Sequence, residues 1–175
     1  MTFEELERLP DEPRRTELLD GELIRMPPAK RLDHILAEDL FLRLHQLVES
    51  LNAGSADLAQ GEVHFGVGYK IGRKPDSWLI PDVSVTHRGQ PGEEYCEGAP
   101  LIAVEVISEF KNAAKIDRKI EKYLANGGQE VWVVYGETRR VQTHFAGRDE
   151  VEIGRAHIRS RALAEVSGIP LSEIW

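Results

Sequence analysis

The chain has 175 residues, of which 41% are hydrophobic and 30% charged, an ordinary composition for a globular protein with a full core. Its formal net charge is −8 at pH 7. Non-specific binding to nucleic acid depends on Lys and Arg side chains that neutralise phosphates, so the chain as a whole would repel DNA. Any activity on DNA must therefore come from a local basic patch, a groove between two subunits or a metal-bound site.

Several sequence features bear on the cellular location and the domain count of the protein. No apolar run is long enough to cross a bilayer, and the acidic N-terminus lacks a signal-peptide core. The single Cys96 excludes an internal disulfide and fits a reducing cytoplasm, which is where we expect the protein. No internal repeat, linker or low-complexity tract divides the chain, so we predict one domain over residues 1–175.

The first half of the chain alternates between helical and extended patterns. Thr2 and Glu5 form a capping box that predicts a short helix, and an Asp20-Gly21 turn predicts a β-hairpin over residues 16–26. Apolar residues at helical spacing predict a long helix over 32–51, with Leu32 and Ile35 on its buried stripe. The period then changes to two over 62–71, which predicts one strand with one buried face.

Two later segments place carboxylates in extended chain. The apolar run 101–108 predicts a strand that is covered on both faces and carries Glu105. An ionised carboxylate in that setting is costly unless it is paired or binds a metal. A second short strand over 80–87 opens with Asp82. Two strands that deliver Asp82 and Glu105 to one place would form a divalent-cation site, although Asp82 also suits a turn cap.

A second helix over 113–125 brings a lysine to the same region. Lys119 lies three residues after Ile116 and four before Tyr123, so it is the cation nearest the apolar stripe of this helix. Its stem could reach the strand that holds Glu105, where a lysine beside metal-binding acids suits phosphodiester hydrolysis. Two other interpretations stay open: a Glu105–Lys119 ion pair without metal, and an ordinary lysine at the edge of an amphipathic helix.

The remaining pattern predicts strands over 130–135 and 139–145 and a last strand near 151–158. The order is therefore a hairpin, a helix, three strands, a helix and then further strands. This order is typical of a mixed α/β or α+β sheet flanked by helices.

Several short motifs, in their order and spacing, carry a resemblance to a known family. Ile80-Pro-Asp82, Val104–Ser108 and Lys119–Tyr123 resemble the Uma-two family of restriction endonucleases, within the PD-(D/E)XK nuclease superfamily. The opening hairpin Glu17–Glu22 and the tail Ser167–Trp175 are also similar to that family. The resemblance implies a restriction-endonuclease-like mixed central sheet with an N-terminal hairpin.

The resemblance also implies roles for individual residues. Asp82 would be the acid of the proline–aspartate motif and Glu105 the second acid, both as metal ligands. The superfamily lysine normally lies two residues after the second acid, where this chain has Ile107. In this family the lysine is similar in position to Lys119, which would orient water or stabilise charge. Glu17 could join the metal site, although the sequence favours an exposed strand acid.

Two functions from different classes follow. The first is a DNA endonuclease that depends on Mg²⁺, or on Mn²⁺, and acts as a homodimer with Asp82, Glu105 and Lys119 as catalytic residues. The second is a catalytically silent nuclease-fold module that binds a protein or nucleic acid partner. Ile107 and the acidic net charge favour the second, and the acid–acid–lysine set favours the first.

Overall fold

A computed structural model describes residues 1–10, 15–54, 60–107, 113–163 and 168–175. Ser108 and Ser167, which bound two of the segments discussed above, lie outside these residues. The described helices are α1 (Phe3–Glu7), α2 (Arg31–Gly54), α3 (Ala113–Ala125) and a 3-10 helix (Leu171–Glu173). None of them is both long and apolar enough to span a membrane.

The described strands, in chain order, are β1 (Thr16–Leu19), β2 (Glu22–Arg25), β3 (Val63–Phe65), β4 (Tyr69–Lys70), β5 (Trp78–Leu79), β6 (Val83–Val85), β7 (Cys96–Glu97), β8 (Ile102–Ile107), β9 (Glu130–Tyr135), β10 (Arg140–Phe145), β11 (Val151–Gly154), β12 (His157–Ile158) and β13 (Ile169–Pro170). Helices and a mixed sheet thus coexist, which confirms the predicted fold class.

Within the described residues the main sheet has six strands in the order β11-β10-β9-β8-β6-β3. β8 lies inside this sheet, parallel to β9 and antiparallel to β6. Successive side chains of a strand point to opposite faces. Ile102 and Val104 therefore join the core beneath α2, whereas Ala103 joins the core beneath α3. The prediction of a strand covered on both faces is confirmed.

A smaller sheet covers the second face of the main sheet together with α3. In the described part of the chain its order is β2-β1-β5-β4-β7. Leu19 of β1, Tyr69 of β4 and Tyr123 of α3 share one apolar cluster there with Ala103. The Tyr69 hydroxyl also lies 2.8 Å from the Ser84 hydroxyl of β6, which ties the two sheets together. Side chains of β1 and β8 consequently meet in the space between the sheets.

Local signals predicted the N-terminal elements correctly. The capping box of α1 is formed, since Thr2 accepts from the Glu5 amide and Glu5 accepts from the Thr2 amide. The hairpin turns at Asp20 and Gly21, whose φ angles of 52° and 77° match the left-handed turn that an Asp-Gly pair favours. Both features depend on residues within one turn of the chain, which is why the sequence suffices to predict them.

Three extended segments differ from the prediction. The alternating run over 62–71 is two strands, not one: β3 belongs to the main sheet and β4 to the smaller sheet. Gly66 ends β3 with a φ of 64°, so the chain changes sheet there and the buried face changes with it. The run over 151–158 is likewise divided into β11 and β12, and β7 lies in the predicted loop before residue 100.

The buried stripe of α2 is shorter than predicted. Leu32 and Ile35 are exposed, and burial begins at Leu36. The helical period continues through all three positions. Burial depends instead on where α2 packs against the main sheet, which the period of one helix does not reveal.

Candidate active site

β8 brings Glu105 into the space between the two sheets. Glu105 follows Val104, whose side chain packs beneath α2, so the carboxylate points to the other face, toward α3. Its side chain is buried. The Tyr123 hydroxyl donates a hydrogen bond of 3.0 Å to Glu105 Oε1. The buried carboxylate thus has a fixed position on a strand inside the sheet.

Asp82 reaches the same face from β6. It lies one residue before Val83, which pairs with Val104, and it is therefore next to Glu105 across the two strands. Ser84, two residues on, points to this same face through its contact with Tyr69. Asp82 Oδ2 accepts a 2.8 Å hydrogen bond from the Val106 amide, which holds the half-buried carboxylate against β8.

α3 places Lys119 between two carboxylates. Its Nζ lies 2.6 Å from Glu105 Oε1 and 3.1 Å from Glu17 Oε1. Lys119 is buried, and burial alone would lower its pKa, but the Glu105 and Glu17 charges outweigh burial and raise the pKa to about 12. Lys119 is therefore a cation at neutral pH. It is a fully enclosed member of the cluster rather than a lysine at the helix edge.

The surroundings of Lys119 favour its charged form, whereas those of Glu105 favour its neutral form. Burial raises its pKa, and the nearby Glu17 and Asp82 charges raise it further, while Lys119 lowers it; the resulting pKa is about 7. The carboxyl group can thus exchange a proton near neutral pH. Groups with such tuning are common at functional sites, although structural ion pairs produce it too.

Glu17 lies in the same cluster, contrary to the expectation of an exposed strand acid, since only 1% of its surface is accessible. Its Oε1 accepts from the Ile80 amide at 2.9 Å and from Lys119. Its Oε2 is buried with no hydrogen-bond partner. The sequence offered no sign of this burial, because the smaller sheet that covers Glu17 forms from distant segments.

Arg15 and Tyr123 are two further site residues that the sequence did not single out for function. Arg15 Nη1 donates a 2.8 Å hydrogen bond to Asp82 Oδ1. Tyr123 was assigned only to the apolar stripe of its helix, yet its hydroxyl is the donor to Glu105. A helical pattern places Tyr123 on the buried face but does not identify the partner of its hydroxyl.

The donor chemistry fits a hard divalent cation. Carboxylate oxygens are the usual ligands of Mg²⁺ and Mn²⁺, and Glu17 Oε2 is a buried oxygen still without a partner. Glu17, Asp82 and Glu105 outnumber the cations Arg15 and Lys119 by three to two. Among the described residues no three His, Cys, Asp or Glu side chains converge as a ready metal cage.

Comparison with known proteins places this chain in a family. The model of the Uma2 (Uma-two) family, described as "Putative restriction endonuclease", matches residues 3–171. The chain belongs to the Uma2 family. The matched range includes Arg15, Glu17, Asp82, Glu105 and Lys119. The resemblance noted from the sequence is confirmed.

A solved structure supports the fold of this Uma2 member. The crystal structure of a putative nuclease belonging to DUF820 from Anabaena variabilis ATCC 29413 is similar, with a TM-score of 0.78 and 18% sequence identity. The alignment covers 99% of this chain and 97% of the other. At that identity the likeness shows the fold alone. No curated protein matches the chain.

Proposed function

We propose that this Uma2 family member is a divalent-metal-dependent DNA endonuclease. The observation that carries the proposal is the contact of Lys119 with Glu105, in a cluster where Asp82 lies next to Glu105 across two paired strands. Two acids that can hold a metal ion, with a lysine beside them, suit phosphodiester hydrolysis. The match to a family described as restriction endonucleases supports the same reaction class.

Each residue has a distinct role in the proposed site. Asp82 and Glu105 would hold Mg²⁺ or Mn²⁺; when bound, such an ion acts as a Lewis acid toward the phosphate and promotes ionisation of water. Lys119 keeps its proton at neutral pH and so offers positive charge to oxygen atoms that gain negative charge during hydrolysis. Tyr123 and Glu17 would hold Glu105 and Lys119 in place through their hydrogen bonds.

Two further features belong to the proposal. Asp82 and Arg15 are partly exposed whereas Glu105 is buried, so a DNA phosphate would approach from the Asp82 side.

Cutting both strands of a duplex requires two sites, and a homodimer is the commonest way to supply them. β3 is an edge strand in the described part of the main sheet and carries the exposed Phe65, which suits contact with a second copy. The proposed location is the cytoplasm, since the single Cys96 fits a reducing compartment.

The test is cleavage of supercoiled plasmid in Mg²⁺ or Mn²⁺ by the native protein and by Glu105→Gln. We expect nicking by the native protein and a loss of at least about 100-fold in Glu105→Gln, the scale for removing one essential polar group. Glu130→Gln is the matched control, since Glu130 is also a buried acid of the main sheet but bonds to Trp132 and Arg161. Equal cleavage by native protein and Glu105→Gln would refute the proposal.

The silent-module alternative has one observation in its favour. Lys119 contacts Glu105 and Glu17, and Arg15 contacts Asp82, so cations of the chain already accompany every acid of the site. If the folded native protein cleaves no plasmid in either metal, and the ions do not bind to it, this alternative is the better description.

A further inference from the structure

Arg15 contacts the same carboxylate that the proposed metal ion would need. Asp82 has two oxygens, and Oδ2 already accepts the Val106 amide at 2.8 Å. The other oxygen, Oδ1, accepts from Arg15 Nη1, also at 2.8 Å. A divalent ion that binds Asp82 through Oδ1 would therefore meet a guanidinium group already in contact with that oxygen.

The surroundings of Arg15 favour this contact. Burial alone would lower the pKa of Arg15, but the charges of Asp82, Glu105 and Glu17 outweigh burial and raise it. The guanidinium group is thus attracted to all three acids of the site, as a metal ion would be. At the same time the Arg15 side chain is 34% exposed, so it can leave Asp82 toward solvent.

We propose that Arg15 acts as an internal cation that competes with the divalent ion for Asp82. This inference rests on the proposed function, since it assumes that Asp82 is a metal ligand. Two cations on one carboxylate oxygen repel each other, so binding of one disfavours the other. Arg15 Nε is buried and has no hydrogen-bond partner in this arrangement, so the ion pair does not satisfy the whole guanidinium group.

The competition predicts that loss of the guanidinium charge tightens metal binding. Calorimetric titration of Mn²⁺ into the native protein and Arg15→Gln should show a dissociation constant at least about fivefold lower in the variant, the lower end of ordinary coupling between two ligands. Arg15→Lys, which keeps a cation, should stay near the native value. Asp82→Asn should abolish binding in both backgrounds.

Arg43→Gln is the matched control. The Arg43 side chain is 33% exposed and pairs with a single carboxylate, that of Glu173, so the variant removes the same charge from a similar ion pair away from the site. Its Mn²⁺ affinity should match that of the native protein. An equal gain in Arg43→Gln would mean that net charge, not competition at Asp82, controls affinity, and would overturn the inference.

The remaining outcomes separate this inference from the proposed function. If the native protein binds Mn²⁺ through Asp82 but Arg15→Gln binds it no more tightly, the competition is refuted and the metal site stands. If no variant shows binding that depends on Asp82, the proposed function fails and the competition fails with it.

A second measurement uses the native protein and so does not depend on whether Arg15→Gln folds. In native protein labelled with ¹⁵N-arginine, the Arg15 Nε–H signal can be assigned by its absence in Arg15→Lys. Addition of Mg²⁺, which is diamagnetic, should shift this signal as the guanidinium group leaves Asp82, while the Arg43 signal stays in place. An Arg15 signal that does not move at saturating Mg²⁺ would overturn the inference.

Discussion

Lys119 Nζ lies 2.6 Å from Glu105 Oε1, although the two residues come from a helix and from a strand inside the main sheet. The same ammonium group also contacts Glu17 of the smaller sheet at 3.1 Å. One cation therefore joins α3, the main sheet and the smaller sheet at a buried point. Charges that are removed from water this completely must be paired, so the contact affects stability as well as any catalysis.

Removal of the Lys119 charge should destabilise the fold strongly. Lys119→Met leaves Glu17 and Glu105 buried without their shared cation, and breaking a buried pair typically costs about 3–5 kcal/mol. The free energy of unfolding from urea titration measures the loss. Lys122→Met is the control, because Lys122 lies on the same helix but pairs with Asp20 near the protein surface. This substitution should cost less than about 1 kcal/mol. Equal losses would show that the buried pairs contribute no more than a surface pair.

The Tyr123 hydroxyl should favour the ionised form of Glu105. Tyr123→Phe removes a 3.0 Å hydrogen bond to that carboxylate, so the pKa of Glu105 should rise and Mn²⁺ binding should require a higher pH. Titration calorimetry at a series of pH values measures how far the pH dependence of Mn²⁺ binding moves. The variant should also lose about 1 kcal/mol of stability.

Tyr69→Phe is the matched control for this prediction. Its hydroxyl is also buried but bonds to Ser84 rather than to a carboxylate. We expect a similar loss of stability and no displacement of the pH profile. If both variants displace the profile equally, a general loss of stability explains the effect and the role of Tyr123 is wrong.

The raised pKa of Glu105 predicts a specific pH dependence of stability. The pKa is about 7 in the folded chain against an ordinary value of 4.5, so between these values the folded state binds more protons than the unfolded state. By linkage, the contribution of Glu105 to the free energy of unfolding must decrease as pH rises through this window, by about 3 kcal/mol at most. The contribution is fully present only below the ordinary value.

Urea denaturation of the native protein and of Glu105→Gln, across this pH range, measures that contribution as a difference. Glutamine does not titrate, so the advantage of the native protein over the variant should decrease with rising pH and level off above about 7. Glu130→Gln provides the comparison for a buried acid outside the site. A difference between native protein and Glu105→Gln that is constant with pH would show that the pKa of Glu105 is not raised.

Self-association should depend on the edge of the main sheet at β3. Phe65 is 42% exposed there, and we expect Phe65→Ser to convert a homodimer into monomer in light-scattering measurements. Ile153→Ser is the control, because Ile153 is 56% exposed but lies on β11 at the opposite edge. A native protein that is monomeric at tens of micromolar, roughly the range in which a specific dimer should persist, would contradict the homodimer prediction.

Local signals account for the parts of the fold that the sequence predicted. The bounds of α3 agree with the predicted 113–125, because its apolar spacing and its C-terminal Asn-Gly-Gly are contained in the segment itself. The strand that carries Glu105 was predicted for the same reason, since six neighbouring apolar residues surround one carboxylate. These features require no knowledge of what the rest of the chain does.

The sequence by itself determined that Glu105 is a buried acid and that Lys119 faces the apolar side of its helix, and it placed Asp82 at the approach to another strand. Only the tertiary structure decided that Glu17 is buried beside Lys119 and that Arg15 contacts Asp82, across 102 and 67 residues of chain. The physical reason is that a hydrophobic period reports which side of one element is covered, but not which element covers it. The partner of each charge depends on how the smaller sheet packs on the main sheet, and that packing is a property of the whole chain.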